Sequence, residues 1–365
     1  MGWDDVKRTV EYRFDMVSQT NIAQTLGTLD GVVLDGSSLT AAYYSDTRTA
    51  GTVKLHGGNW VRGSFVRVTA EVPELGWRRS LGTYLATSDD AERMRGAWDT
   101  TLELRSMLFA LSTDLAPSPW TVRKGAYAVS AMRQMLDSRK RPYRMLSPLD
   151  HRFSSDVVYE VGKPYLEDMF ALCKAAGDRL DVDGEGYVTV APYAAPQSRV
   201  PSMTIDATGA SAIVDGISRS TDWLSMPSRT VVQHTFSQTS GGKSVQKEVH
   251  GMYDSPGHTS RASRGYIVTE FQSVSDMQPE TWRRATELAR QYQLANEREQ
   301  VEWELETMFL PLWEGDVVDL VLPEGEAGNA YGGRRKCLVK GVDLDLGKST
   351  MKLTLKETAS GDDGE

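Results

Sequence analysis

The sequence of 365 residues has little of what marks a secreted or membrane-bound protein. It holds only two cysteines, Cys173 and Cys337, with no CxxC spacing, so we predict neither a disulfide nor a zinc site. No stretch approaches the roughly 18 consecutive apolar residues that a membrane-spanning helix needs, so we expect no membrane span. The amino terminus, MGWDDVKRTVEYRFD, has no apolar core for a signal peptide, and we expect synthesis and folding in a cytoplasm.

Positive charge is scarce as well, since 41 Lys and Arg stand against 50 Asp and Glu and the net charge is -9. A protein that holds nucleic acid by its phosphates needs clustered Lys and Arg, so we expect no sequence-specific nucleic-acid binding. An acidic surface instead suits solubility, or a passage that must not retain DNA. What the chain does contain is 40% hydrophobic and 8% aromatic residues, enough for the cores of two or three globular domains.

Motifs of common catalytic and cofactor sites are also missing. Gly347-Lys348-Ser349-Thr350 looks like the end of a phosphate-binding loop, but Gly341 lies one residue too far upstream and a strand pattern follows, so we predict a hairpin turn. Gly241-Gly242-Lys243-Ser244 lacks an upstream glycine at the right distance. The histidines have no metal-ligand spacing; they are His56, His151, His234, His250 and His258. We therefore predict no catalytic, cofactor-binding or metal-binding residues and no cofactor, although paired glycosidase carboxylates stay an alternative among 50 acidic residues.

The stretch DRLDVDGEGYVTVAPY, residues 178–193, resembles the start of a calcium loop through Asp181, Asp183 and Glu185. An EF-hand loop closes with a bidentate glutamate, but Pro192 stands at that position, and strand-forming residues follow where a helix should begin. A hairpin that turns at residues 184–186 explains the pattern better, because glycine tolerates the positive φ of tight turns. We predict a hairpin that binds no calcium.

Alternating polarity predicts a mainly β fold of the α+β class. Strand patterns at 9–17, 51–55, 64–72, 81–86 and 98–104 make residues 1–115 a first β-barrel-like domain. Residues 116–193 form an inserted small α+β domain, in which a helix at 127–138, a helix from Pro164 to Gly177 and the hairpin cover one another. The second helix presents one apolar face of Leu166, Met169, Phe170, Cys173 and Ala176.

The remaining residues contain a second β region. Residues 194–228 are predicted to connect, and residues 229–358 to form a second β-barrel-like domain with an exposed hairpin tip at 237–243 and a long helix at about 279–297. Residues 359–365 are expected to be a disordered acidic tail. Apolar patterns surround five tryptophans and favour core positions over a carbohydrate-binding surface; they are Trp77, Trp98, Trp282, Trp303 and Trp313.

Three stretches together resemble segments of one protein family. They are WRRSLGTYLA at 77–86, the helix and hairpin at 163–193, and LPLWEGDVVDLVLP at 310–323. In this order they resemble the baseplate hub proteins of contractile phages, the amino-terminal hub region of siphophage tail-associated lysozymes, and hub-like minor tail proteins. The resemblance covers nearly the whole chain.

The resemblance implies a non-enzymatic structural virion protein. It implies a homotrimeric hub at the distal end of a phage tail, which caps the tail tube, organises the tail tip or baseplate and leaves a channel for the tape measure protein and DNA during ejection. Implied partners are tail tube proteins, the tape measure protein and other tail-tip or receptor-binding proteins, and the implied location is the virion tail tip after assembly in the host cytoplasm. Longer family members carry a carboxy-terminal lysozyme, peptidase or fibre-like extension, and this sequence stops at residue 365, so we expect no wall-cleaving activity. A cell-wall hydrolase or a carbohydrate-binding tail adhesin is the alternative.

An internal echo between the two β regions agrees with the implied trimer. Residues 10–14 parallel 301–305, residues 63–68 parallel 315–320, and residues 100–104 parallel 351–355. The first region has a longer insertion between its opening strand and Gly63, 53 residues against 14 before Gly315, so the likeness is either a repeat or two generic barrels. Three chains with two similar modules each would place six modules in a closed ring, which suits a six-fold tail tube. We therefore predict a homotrimer with alternating β domains around a channel that does not retain DNA.

Overall fold

The computed structural model of the protein describes residue 3 and residues 8–94, 97–148, 151–153, 156–208, 213–221, 226–240, 243–257, 259–274, 281–296, 301–323 and 332–358. The chain folds into two compact units, one of Met1–Ser218 with Trp303–Glu365 and one of Arg219–Glu302. The predicted tail at 359–365, the glycine pair at 241–242 and His258 lie outside the described residues.

Strands predominate along the described chain. They are β1 (Glu11–Val17), β2 (Thr25–Thr28), β3 (Val32–Ala42), β4 (Thr49–His56), β5 (Phe65–Val72), β6 (Trp77–Met94), β7 (Ala97–Ser106), β8 (Trp120–Val122), β9 (Tyr143–Met145), β10 (Val157–Tyr159), β11 (Asp178–Val182), β12 (Val188–Pro192), β13 (Met203–Asp206), β14 (Ile213–Thr221), β15 (Arg229–Ser240), β16 (Lys243–Asp254), β17 (Thr269–Val274), β18 (Val301–Met308), β19 (Val317–Leu322), β20 (Gly333–Asp345) and β21 (Thr350–Glu357). The α-helices are α1 (Phe109–Thr113), α2 (Ala128–Ser138), α3 (Tyr165–Ala176), α4 (Arg261–Arg264) and α5 (Trp282–Asn296).

A 13-stranded sheet joins the two β regions. Its order is β14-β18-β21-β20-β3-β4-β7-β6-β5-β1-β2, with β19 also paired to β20 and β13 paired to β19. The connection is made by β20, whose residues 341–345 pair antiparallel with residues 38–42 of β3. The mainly β, α+β class is confirmed, but the strands of the described segments do not close into the two predicted barrels. The barrel prediction assumed that the edge strands of each β region pair with one another. Here β3 of the first region pairs instead with β20 of the second region.

The joining strand β3 was not among the predicted strands, because Asp35-Gly36-Ser37-Ser38 is typical of a polar loop. The pairing of β3 with β4 is interrupted there by a bulge, and Gly36 takes a φ of 74°. Ser37 is buried, and its Oγ donates to the Val33 carbonyl at 2.6 Å and accepts from the Lys54 N–H at 3.0 Å. The side chain thus replaces backbone pairing lost at the bulge, and the strand continues to β20.

The segment between the β regions has its own hydrophobic core. The predicted face of α2 is confirmed as buried; it consists of Ala128, Val129, Met132, Met135 and Leu136. Helix α3 follows Pro164 and ends at Gly177, which takes a φ of 73° as a left-handed cap. Its buried face is shifted from the predicted one, since Leu172 is fully buried and Phe170 is only partly buried.

The internal echo falls on strands with matching connections. The echoed segments lie on β1 and β18, β5 and β19, and β7 and β21, and both regions contain an antiparallel meander, β5-β6-β7 and β19-β20-β21. The glycines ahead of β5 and β19 share a positive φ, 91° at Gly63 and 85° at Gly315. The opening strands differ, because β1 pairs with β5 whereas β18 lies beside β21. The echo therefore describes a repeated three-stranded meander. The opening strand that precedes each meander pairs differently in the two regions.

The second unit is a three-stranded sheet covered by a helix. β15 pairs antiparallel with β16 and parallel with β17, and α5 packs on them through the buried Ala285 and Ala289. Gly251 permits this contact, since a Cβ there would lie 2.1 Å from the backbone of Ala285. Helix α5 occupies residues 282–296, within the predicted long helix.

None of the helices that the structure describes is long and apolar enough to cross a membrane. The predicted domain 229–358 contains residues of both compact units. The predicted domain boundaries stay a prediction, because contacts in the folded state do not measure which segments fold independently.

Candidate functional site

The predicted hairpin is formed by β11 and β12, which pair antiparallel. In its turn the Asp183 N–H donates to the Tyr187 carbonyl at 3.0 Å and the Gly186 N–H donates to the Asp183 carbonyl at 2.9 Å. Gly186 takes a φ of 89°, which explains why glycine ends the turn.

The carboxylates that resembled calcium ligands are held by arginines. Arg144 pairs with Asp183 and Glu185, each at 2.5 Å, and Arg179 pairs with Asp181 at 2.8 Å. The arginines supply the positive charge that a calcium ion would otherwise bring to this turn.

The hairpin turn docks against β6. The hydroxyls of Ser80 and Thr83 donate to the Gly184 carbonyl at 2.7 and 3.0 Å. A Cβ at Gly184 would lie 2.1 Å from the Ser80 carbonyl oxygen, so only glycine permits this approach. Arg67 adds a bond from its Nη2 to the Glu185 carbonyl at 3.0 Å. These contacts attach the α+β segment to the first β region.

A second turn, residues 313–316 just before β19, reaches the same place. The Trp313 N–H donates to Asp316 Oδ2 at 2.7 Å, and Arg79 of β6 lies 3.8 Å from that oxygen. Gly315 lies under the Tyr43 ring, where a Cβ would be 3.2 Å from ring carbons. The turn brings the last β region against β6 and the hairpin.

A cavity of about 210 Å³ lies where these segments meet. It is lined by residues 79–83 of β6, residues 181–184 of the hairpin, Trp313, Glu314 and Thr49. We call these lining residues the three-way junction. Each of the three stretches that carried the family resemblance contributes to it, although they are far apart in the sequence. The junction is therefore the candidate functional site.

Two arginines, Arg48 and Arg179, lie beside the three-way junction. Arg48 donates from Nη2 to the Leu180 carbonyl and from Nη1 to the Ser45 carbonyl, both at 3.0 Å, and its Nε lies 3.9 Å from Asp181. The Arg179 guanidinium lies 3.6 Å from the centre of the Tyr43 ring. Burial, followed by the nearby charge of Arg179, lowers the pKa of Arg48. Both arginines thus bind the hairpin strand β11 to the loop before β4.

Several titratable residues line the junction. Glu314 is the one among them that forms no ion pair with another described residue. The residue keeps part of its surface exposed, but its Oε2 is buried and finds no hydrogen-bond partner in the described structure. Burial raises the pKa of Glu314 well above its ordinary value, and the negative charge of Asp181 adds to this effect. Burial also raises the pKa of Asp316. Glu314 is therefore a neutral acid over a wider pH range than an exposed glutamate.

The phosphate-loop look-alike at residues 347–350 is confirmed as a hairpin turn, between β20 and β21. Asp345 Oδ1 accepts from the N–H groups of Gly347 and Lys348 at 2.9 and 3.0 Å, and Ser349 takes a φ of 52°. The backbone donors that would bind phosphate are used by this carboxylate.

Among the described residues, those that line the junction include no histidine. His56 lies 2.5 Å from Asp99, and the buried His234 has its Nδ1 2.9 Å from the Val274 carbonyl oxygen. Within the described ranges, no three His, Cys, Asp or Glu side chains converge in a way that could hold a metal ion.

Both cysteines are buried and free. Cys173 lies on the buried face of α3, as predicted, with its Sγ 3.4 Å from the Met132 sulfur. Burial raises the pKa of Cys173 to about 12 and also raises the pKa of Cys337. Neither thiol is thus the thiolate that nucleophilic chemistry requires at neutral pH.

The tryptophan prediction is right for some residues and wrong for others. Trp303 and Trp313 are buried, and Trp77 is partly buried, with its ring 5.6 Å from that of Phe309. Trp98 and Trp282 are 56% and 62% exposed, so their predicted core positions are wrong. Trp98 is the second residue of β7 and Trp282 the first residue of α5, and an apolar pattern along the chain does not specify whether another element covers the end of its own element.

Sequence reasoning did not single out Arg48 or Glu314. A turn-forming Glu-Gly-Asp after a buried tryptophan is the only local signal for Glu314. The groups that enclose its carboxyl come from β6 and β11, so no pattern around residue 314 reveals the burial.

Comparison with known proteins gives relatives by structure. No protein-family model matches the sequence, and no curated protein matches it either. The fold is similar to the tail protein from Neisseria meningitidis MC58 (TM-score 0.65, 14% identity, 95% of this chain and 96% of that one). It is also similar to the 43 kDa tail protein of prophage MuSo2 from Shewanella oneidensis (0.61, 10%, 95% and 98%) and to prophage tail protein gp18 from Listeria monocytogenes EGD-e (0.57, 10%, 94% and 94%). The predicted resemblance is confirmed, and the chain has the fold of phage tail proteins.

Proposed function

We propose that this protein is a structural virion component that forms the hub at the distal end of a phage tail. The observation that carries the proposal is the match of fold to solved tail proteins over nearly the whole of both chains. In this role the protein caps the tail tube, organises the tail tip or baseplate, and contacts tail tube, tape measure and receptor-binding proteins.

The proposed hub is a homotrimer with a channel for the tape measure protein and DNA. The repeated meander, β5-β6-β7 and β19-β20-β21, supports it, because two similar modules per chain give a trimer six similar modules. The net charge of -9 supports a lumen that does not retain DNA.

The chemistry of the three-way junction supports a structural role and not an enzymatic one. Asp181 and Asp183 are paired with arginines, and Ser80 and Thr83 donate to a backbone carbonyl. The hydroxyl bonds attach the hairpin turn to β6, and the Arg144 pair holds the same turn to β9.

Imaging of the virion tests the location. Antibody against the purified chain, visualised on intact phage by electron microscopy, should label the end of the tail distal to the head. Labelling along the tail shaft or at the head would contradict the proposal. Extracts in which the gene is disrupted should accumulate heads and incomplete tails, and tails of normal appearance there would also contradict it.

A carbohydrate-binding adhesin is the second candidate, because Trp98 and Trp282 are exposed. If the protein is a hub and not an adhesin, Trp98→Ala and Trp282→Ala should each leave binding to purified host wall polysaccharide unchanged. Zymography on host cell wall separates the hub from a hydrolase, since reproducible clearing by the purified chain would replace the hub proposal.

A further inference from the structure

The central strands of the two meanders, β6 and β20, pair with their neighbours in the same way. On one side, Leu85 of β6 lies opposite the first residue of β5, and Leu338 of β20 lies opposite the first residue of β19. On the other side, Leu85 faces Arg105 of β7 and Leu338 faces Lys356 of β21. Leu85 and Leu338 therefore occupy equivalent positions in the two meanders.

A β-bulge follows at the same place in both strands. The register of β6 with β7 shifts between Ala86 and Ser88, and the register of β20 with β21 shifts between Val339 and Gly341. Each bulge comes directly after the equivalent leucine, and a bulge is a specific feature of a strand pair. Residues 88–92 of β6 thus correspond to residues 341–345 of β20.

These two corresponding segments differ in one neighbour. Residues 341–345 pair with residues 38–42 of β3 on the side away from β21. Residues 88–92 pair with β7, but β5 stops pairing with β6 at Leu85, and no other strand of the described chain pairs with that edge of β6. The stretch 86–94 is therefore a sheet edge that can accept a strand.

The β20–β3 contact indicates which backbone groups of β6 face this edge. The Lys340 carbonyl accepts from the Tyr43 N–H at 2.8 Å, and the Leu346 N–H donates to the Ser37 carbonyl at 3.1 Å. Alternate residues of a strand direct their backbone groups to the same side, so the even-numbered residues of β20 face β3. In β6 the corresponding residues are 87, 89, 91 and 93.

The counterpart of β3 in the second β region lies at the end of the sheet. Beyond β7 the sheet continues with β4 and then β3, and beyond β21 it continues with β18 and then β14. β14 is the last strand at that end of the described sheet. Within one chain, β14 and β6 are separated by the six strands from β18 to β7 and do not pair with each other. A strand equivalent to β3 can therefore reach β6 only from a second copy.

We propose that β14 of one copy pairs with residues 86–94 of β6 in the next copy, as β3 pairs with β20 within the chain. The inference rests on the proposed trimer and names the contact that forms it. Each copy gives one edge and accepts one, which is a heterologous contact that can close into a ring. The lengths agree, since β14 has 9 residues, as does the stretch 86–94.

Charge disfavours the pairing of two β6 edges with each other. Asp90 and Glu92 are exposed on this stretch, and like charges opposite one another destabilise a sheet. β14, with the sequence IVDGISRST, contains one acidic and one basic residue. The edge of β6 therefore favours β14 over a second β6.

Ala91→Pro tests the contact on the full chain. Proline removes an N–H that faces the free edge and leaves the bonds from β6 to β7 in place. In analytical ultracentrifugation, at a concentration where the wild type is a trimer, Ala91→Pro should sediment as the 40.4 kDa monomer with an unchanged circular dichroism spectrum. Ala91→Ser keeps the N–H, so it is the matched control and should form the trimer.

Hydrogen exchange measured by mass spectrometry locates the contact. Strand pairing protects backbone amides, so peptides that cover residues 86–94 and 213–221 should exchange at least about tenfold more slowly in the wild-type trimer than in Ala91→Pro. Peptides of α2 and α3, which lie in the separate core of the α+β segment, should exchange equally in both proteins.

Disulfide trapping identifies the partner strand. Both native cysteines are buried, so Ala91→Cys can be combined in turn with a cysteine at each position from 214 to 220. Opposite residues of paired strands lie within disulfide reach. At least one combination should give a trimer that resists SDS after oxidation, whereas Ala91→Cys alone should not.

The outcomes separate the strand pairing from the proposed hub. A trimer that persists in Ala91→Pro, with exchange at 86–94 equal to that of the wild type, would overturn the pairing and leave the hub proposal intact. A wild type that stays monomeric at every concentration would contradict the trimer and the pairing together. If Ala91→Pro fails to fold, the trapping experiment decides, because it keeps every backbone N–H, and the lack of a cross-link at all positions of β14 would overturn the proposal.

Discussion

Single glycines decide how closely the α+β segment approaches the sheet. Gly184 is the sharpest case, because a Cβ there would lie 2.1 Å from the Ser80 carbonyl oxygen, and backbone cannot move aside as a side chain would. We expect Gly184→Ala to lower the free energy of unfolding by roughly 1–3 kcal/mol. Urea unfolding followed by circular dichroism measures the change.

Gly216→Ala is the matched control, since Gly216 also lies in regular β structure and a Cβ there meets nothing within 4 Å. We expect this variant to keep wild-type stability within about 0.5 kcal/mol, or to gain slightly through a less flexible unfolded chain. Equal losses at both positions would mean that the hairpin turn does not contact β6 as described.

The acidic residues of the hairpin turn allow a second prediction at this scale. Since Arg144 already neutralises Asp183 and Glu185, we expect neither a chelator nor added calcium to change the melting temperature. Differential scanning fluorimetry in chelator and in calcium measures this. A rise of several degrees with calcium would show ligand-linked stabilisation and a site that the arginine contacts conceal.

At the scale of elements, the buried face of α3 can be tested directly. The sequence pattern placed Phe170 on that face, whereas the structure buries Leu172 fully and leaves Phe170 partly exposed. Leu172→Ala should therefore cost about 2–5 kcal/mol of unfolding free energy, and Phe170→Ala should cost less. A larger loss for Phe170→Ala than for Leu172→Ala would mean that the face predicted from the sequence is the buried one.

At the scale of the whole molecule, the trimer is the main prediction. Analytical ultracentrifugation of the purified chain at increasing concentration should reveal a species of three times the 40.4 kDa chain mass. A virion map should show the two meander modules alternating around a central channel. A hexamer at the tail tip, or a ring built from one of the two modules, would contradict the arrangement.

The local elements could be predicted from the order of amino acids alone. The hairpin at residues 178–192, the limits of α2 and α3 and the turn at residues 347–350 depend on residues that are neighbours along the chain. Alternation, cap residues and positive-φ glycines carry that information within a few positions. The order of such elements was also enough to indicate a phage tail fold.

How these elements meet depends on the folded chain as a whole. The pairing of β3 with β20, which replaces two barrels by one sheet, joins strands from opposite ends of the chain. The enclosure of Glu314 and the exposure of Trp98 likewise depend on which distant elements cover a side chain. A local pattern states that a side chain is apolar or charged, but burial is a property of all the groups around it, and those groups are brought together only by folding.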